Sequence, residues 1–117
     1  MTKLAVFTGL VLVVLGAAAD LTGNWEVDAS FDDGGLSGGG FDCAFKQDGE
    51  QLTGNCSAGT AQVTGEVKGR SISWHLTGAD PSAAMPTFSG TVDDAGNSMK
   101  GRFTIAGKGG SFTAVRQ

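Results

Sequence analysis

The chain has 117 residues, enough for one domain, and 8 Lys+Arg against 12 Asp+Glu give a net charge of −4. That acidic balance argues against nucleic acid, whose binders need a basic face to displace counterions. With 40% apolar and 17% charged residues the chain folds rather than staying disordered, and its 20 Gly lack the three-residue period of collagen.

Residues 1–19 read as an export signal. Lys3 supplies a short positive start, Leu4 to Leu15 is almost unbroken apolar sequence, and Ala17-Ala18-Ala19 offers small residues before Asp20. The apolar run is shorter than the roughly 20 residues a spanning helix needs. The expectation is cleavage before Asp20, a mature domain over residues 20–117, a secreted or periplasmic protein, and no membrane contact after cleavage.

The rest alternates apolar and polar with period two, the signature of half-buried strands. The first strand turns Trp25, Val27, Ala29 and Phe31 to one face. The second turns Phe41, Cys43 and Phe45 inward, and the third Leu52, Gly54 and Cys56. Asp48-Gly49 is a hairpin signal between them. A loop over Asp48 to Gln51 sets Cys43 opposite Cys56, so these two cysteines are expected to form one disulfide after export. Two Cys and one distant His make a poor metal set.

The fourth strand directs Ala61, Val63, Gly65 and Val67 inward. Lys68-Gly69 is read as a two-residue turn, which would set Val63 against Trp74 and Gly65 against Ile72. The fifth strand carries Ile72, Trp74 and Leu76 inward. A looser loop, Thr77 to Pro86, leads to Phe88, Gly90 and Val92. Asp93 to Asn97 turns the chain into Met99, Gly101, Phe103 and Ile105. Gly107 to Gly110 turns it into Phe112, Ala114 and Arg116. If Val92 pairs with Met99, Gly90 faces Gly101, and inward glycines suit the coiling of a small closed barrel.

Eight short antiparallel strands joined by short loops most easily bury one apolar face by closing. The expected fold is all-β, an eight-stranded up-and-down (meander) barrel. A β-sandwich would want Greek-key crossovers and longer connections. The echo of Val63-Thr-Gly-Glu-Val in Phe88-Ser-Gly-Thr-Val supports a repeated hairpin.

The opening Leu21-Thr22-Gly23-Asn24-Trp25 and the ending Phe112-Thr-Ala-Val-Arg116 resemble the first and last strands of the avidin–lipocalin (calycin) superfamily. The resemblance implies that Trp25 and Arg116 close the barrel base by cation–π stacking. The chain departs from that family in its shorter length and in having no Tyr. It also lacks a helix before the final strand. The inward positions are almost all apolar or glycine, which argues against biotin-type polar recognition.

Nothing points to catalysis. His75 alternates outward beside Ser71 and Ser73, with no carboxylate placed to orient its ring. Asp32-Asp33 and Asp93-Asp94 lack calcium-loop spacing. The run Gly34 to Gly40 lacks the Lys of a phosphate loop. No catalytic residue, cofactor or metal is expected. The expected function is non-enzymatic binding of a small apolar ligand or a protein partner. The alternative is a filled-core barrel serving as an inhibitor or surface protein. Short strands favour a mostly filled core with a shallow mouth near the Asp32 to Gly40 loop. A ligand there should be apolar and contact Phe31, Phe41, Trp74, Phe88 and Met99.

Overall fold

A computed structural model describes residues 20–34, 39–80 and 82–117. The expected export signal lies outside them, as do residues 35–38 of the first loop. Eight strands follow in chain order: β1 (Gly23–Phe31), β2 (Gly39–Asp48), β3 (Gln51–Cys56), β4 (Ala61–Lys68), β5 (Ser71–Gly78), β6 (Thr87–Val92), β7 (Ser98–Ile105) and β8 (Lys108–Arg116). Each pairs antiparallel with its neighbours in sequence, and β1 pairs with β8, so the sheet closes without an edge. The loops after β1, β3, β5 and β7 gather at one end, the mouth. The opposite end, the base, holds the other turns together with the start of β1 and the end of β8.

The strand faces follow the period-two pattern. Trp25, Val27 and Ala29 of β1 are buried, and so are Ile72, Trp74 and Leu76 of β5. Among the described residues every buried side chain is apolar. Cys43 lies opposite Cys56, and the two form a disulfide with their Cα atoms 4.0 Å apart. Closing a loop of this length stabilises the fold by about 3 kcal/mol in the chain-entropy model.

Two turns differ from the sequence reading. Between β4 and β5 the turn is Gly69-Arg70 rather than Lys68-Gly69, because Lys68 pairs with Ser71. Gly65 therefore faces Trp74 and Val63 faces Leu76, a shift of two residues that keeps every side chain on its expected face. The packing explains the choice. A Cβ on Gly65 would stand 2.6 Å from the Trp74 Cβ and 2.3 Å from the Ser73 carbonyl oxygen, so only glycine fits against that tryptophan.

Before β8 the turn is Ala106-Gly107 rather than Gly107 to Gly110, since Ile105 pairs with Lys108. Both turn residues have positive φ, 52° and 82°, as a two-residue hairpin turn of this hand requires. Alanine is a poor occupant of the left-handed region. Ala106→Asn is expected to raise stability by about 1 kcal/mol, read as a higher urea midpoint with an unchanged slope.

The inward glycines share one arrangement. Gly54 lies opposite Phe45, Gly65 opposite Trp74, Gly101 opposite Phe112, and Gly110 opposite Phe103. Each glycine lets two strands approach closely, and the cross-strand aromatic fills the space that a side chain would have taken. Gly90 faces Gly101 directly, with Ile72 on its other side.

The base is closed by the residues that precede β1. Leu21 is fully buried, and its carbonyl accepts a hydrogen bond from Trp25 Nε1 at 2.9 Å. Gln47 holds the same segment from β2, with Oε1 accepting from the Leu21 amide at 2.9 Å. Arg116 crosses Trp25 with its guanidinium carbon 4.8 Å from the ring centroid. Its Nη1 donates to the Thr22 carbonyl at 2.8 Å, and its Nη2 to the carbonyls of Asp20 and Gly96 at 2.7 and 2.8 Å. One guanidinium thus ties the entry to β1, the end of β8 and the β6–β7 turn to the tryptophan.

Candidate functional site

The barrel axis is occupied by rings. Trp74 stacks on Phe88 with centroids 4.0 Å apart and planes 8° from parallel. Phe112 meets both edge-on, at 6.0 and 5.1 Å, and Phe45 meets Trp74 at 5.3 Å. Trp74 and Phe88 are each 1% exposed. They form the plug of the barrel rather than the wall of a cup.

Of the five residues expected to line a ligand, Phe41 meets the Trp74–Phe88 stack with its centroid 6.4 Å from that of Phe88, but the five do not share one surface. Trp74 and Phe88 stack in the centre. Met99, near the start of β7, is buried at the base between Val92 and Ala114. Only Phe31 and Phe41 reach the mouth, where both are half-buried. The sequence reading identified the inward face correctly but not the level of each residue along the axis. Strand direction carries that information, and it separates Met99 from Phe41 by the length of the barrel.

Two partly buried side chains missing from the expected set complete the mouth: Met85 of the β5–β6 loop and Ile105 at the end of β7. Met85 lies over Gly78, its sulfur 3.6 Å from where a Cβ would stand. The loop that carries it is anchored at both ends. The Leu76 amide donates to the Pro86 carbonyl at 3.1 Å. Asp80 Oδ1 accepts from the Ser82 hydroxyl at 2.7 Å and its amide at 3.0 Å. These bonds hold the Asp80 carboxyl below the usual carboxylate range, the hydroxyl contributing most. Facing the loop, the β3–β4 turn is tied to β2 by the Ser57 amide, which donates to the Asp42 carbonyl at 2.9 Å.

Between the two loops lies a cavity of about 490 Å³. Its floor is Phe41, Ala61, Leu76 and Met85, and its rim carries Ser57, Thr60 and Asp80. A larger, shallower groove of about 800 Å³ crosses the outer face of β5 to β8. The apolar side chains beneath it, Ile72 and Phe112, point inward and are 3% and 2% exposed. That groove is lined by hydroxyls, glycine backbone, Lys100 and Arg102, whereas the mouth carries the half-buried side chains of Phe41 and Met85. The mouth is the more enclosed of the two, as a small-molecule site requires.

The fold on which this site sits has solved counterparts. The chain shares its fold with designed fluorescence-activating β-barrels. A redesigned barrel, mFAP1, solved bound to DFHBI, is 19% identical with a TM-score of 0.57, covering 83% of this chain and 94% of that one. A de novo designed fluorescence-activating barrel is 19% identical with a TM-score of 0.56, covering 89% of this chain and all of the other. EF1p2_mFAP2b, also solved bound to DFHBI, is 18% identical with a TM-score of 0.57, covering 89% of this chain and all of the other. No family model and no curated protein matches the sequence. The likeness is one of architecture.

The remaining sequence candidates have definite places. His75 is exposed on the outer face, opposite Thr64 and Thr87. Glu66, opposite Ser73, is a carboxylate near that histidine which the sequence reading missed, since only the corrected β4–β5 register brings it there. Its Oε1 lies 3.6 Å from Lys68 Nζ, and neither Ser73 nor His75 makes a side-chain hydrogen bond among the described residues. The acidic pairs are held by cations and by a turn. Asp32 takes a two-point contact from Arg102, Asp33 lies 3.7 Å from Lys108, and Asp94 pairs with Arg70.

Asp93 shapes the β6–β7 turn. Its Oδ1 accepts from the Asn97 and Ser98 amides at 2.9 and 3.3 Å, and its Oδ2 from the Ser98 hydroxyl at 3.0 Å. The Asn97 amide, foremost among these donors, holds the Asp93 carboxyl below its ordinary 3.8. A depressed folded-state value contributes stability above 3.8 that is lost as pH falls through the folded value. The Asn97 and Ser98 amide resonances are therefore expected to shift together, with a midpoint below pH 3.8. A midpoint at or above that value would remove the turn-capping role.

Trp74 Nε1 is buried without a hydrogen-bond partner among the described residues. Such an orphan costs about 1–3 kcal/mol. Trp74→Phe relieves it while losing part of the ring. The net change in unfolding free energy is expected to stay within about 1 kcal/mol in urea melts, small for so buried a tryptophan.

Proposed function

We propose that the chain is an exported, non-catalytic, calycin-like binding module that takes a small apolar ligand at the mouth of its barrel. The observation that carries the reading is the cavity floored by Phe41, Leu76 and Met85 above a core already filled by Trp74 and Phe88. The DFHBI-bound designed barrels of the same architecture lend it support. The signal-like residues 1–19 and the Cys43–Cys56 bridge support export. The Gly23-x-Trp25 opening and the terminal Arg116 support the calycin-like assignment.

The filled core favours one further reading. The barrel would then be a rigid frame whose outer surface engages a protein, as an inhibitor or surface protein does. Calorimetric titration with naphthylmethanol separates the two. Saturable micromolar binding is expected, and Ala83→Trp, which fills the cavity from an exposed loop position, is expected to abolish it. Heat that Ala83→Trp leaves unchanged, or no binding at all, would leave the surface reading in place.

A further inference from the structure

We propose that the mouth selects small apolar cations, seating the apolar body on Phe41, Leu76 and Met85 and the positive group at the Asp80 carboxylate. The inference rests on the mouth being the ligand site and adds the chemical class of ligand.

The charge around the cavity is one-sided. Among the described residues lining it, Asp80 is the one ionisable side chain, and no Lys or Arg is present. The cations nearest the mouth are engaged by other carboxylates on the β7–β8 side: Arg102 holds Asp32, and Lys108 lies 3.7 Å from Asp33.

The Asp80 carboxylate is also set in place. Ser82 fixes Oδ1 through its hydroxyl and its amide, while Oδ2 makes no hydrogen bond among the described residues. The carboxyl is ionised at neutral pH, as an exposed aspartate is, and the Ser82 hydroxyl and amide lower its pKa further, below 3.8. An anionic oxygen with free acceptor capacity thus stands at the edge of an apolar cavity. A neutral apolar ligand gains only burial on the floor. A cationic one gains burial and an ion pair, and an anionic one meets repulsion at Asp80.

Three probes of one shape test this on the full chain: naphthylmethylammonium, naphthylmethanol and naphthoate. The cation is expected to bind roughly three- to fivefold tighter than the alcohol at low salt, the yield of a solvent-exposed ion pair. The naphthoate anion should bind weakest. The advantage should shrink as salt is raised toward one molar. Asp80→Asn, which keeps the Ser82 acceptor, should bring the cation-to-alcohol ratio to about one. Equal affinity for all three probes, or a ratio that survives both salt and Asp80→Asn, overturns the charge selection while the mouth stays a ligand site. No binding by any of the three overturns the mouth reading as well.

Discussion

Trp25→Ala is expected to cost about 3–5 kcal/mol, among the largest losses for a buried ring. Against a typical domain stability of about 5–15 kcal/mol, that removes roughly a fifth of the margin or more. The ring is fully buried, touches Phe45 at 6.2 Å and lies under Arg116 at 4.8 Å. Its loss opens a cavity and also strands the Leu21 carbonyl, which accepts from Nε1. The contrast with Trp74 is informative: that ring has no such bond to lose. Arg116→Lys should cost less, about 1–2 kcal/mol, because one ammonium cannot reach Asp20, Thr22 and Gly96 together. Urea melts of the two variants check both figures. A near-neutral Trp25→Ala would contradict closure of the barrel through this base.

Gly101→Ala is expected to cost at least about 3 kcal/mol, although it adds a single methyl group. That methyl would stand 2.1 Å from the Ser89 carbonyl oxygen and 2.5 Å from the Gly90 Cα. Gly90→Ala meets the Lys100 carbonyl oxygen at 2.1 Å. Backbone of a neighbouring strand cannot move aside as a side-chain tip can, so the strands must part and the Phe112 ring loses its seat. Gly109→Ala is the control. Its nearest atoms are 3.5 Å away or more, and it should stay within about 0.5 kcal/mol. Equal tolerance at Gly101 and Gly109 would remove the close strand approach from the account.

Much of this frame could be read from residue order alone. Trp25, Val27 and Ala29, or Ile72, Trp74 and Leu76, declare their buried face through period two, and parity survives an error in a turn. The Cys43–Cys56 pairing follows from the Asp48-Gly49 hairpin. Register was less legible. Lys68-Gly69 and Gly69-Arg70 are both acceptable turns by composition, and the choice depends on whether Gly65 or Val63 faces the Trp74 ring. That is a matter of volume across strands, which spacing does not encode.

The level of each inward residue along the axis was the least legible. Inward parity gave Phe31, Phe41, Trp74, Phe88 and Met99 as equals, whereas the barrel distributes them between mouth, core and base. Met85 and Asp80 sit in a loop with no period to mark them. A methionine lying between two prolines in sequence carries no signal that it will fold over Gly78.

The most direct test of a filled core beneath an apolar mouth uses the methionine methyl groups. Met85 sits on the floor of the mouth and Met99 at the closed base. With the methyls carbon-labelled, titration with naphthylmethanol should move the Met85 resonance saturably and leave Met99 where it was. Movement of Met99 with Met85 unmoved would place the ligand inside the barrel and contradict the account.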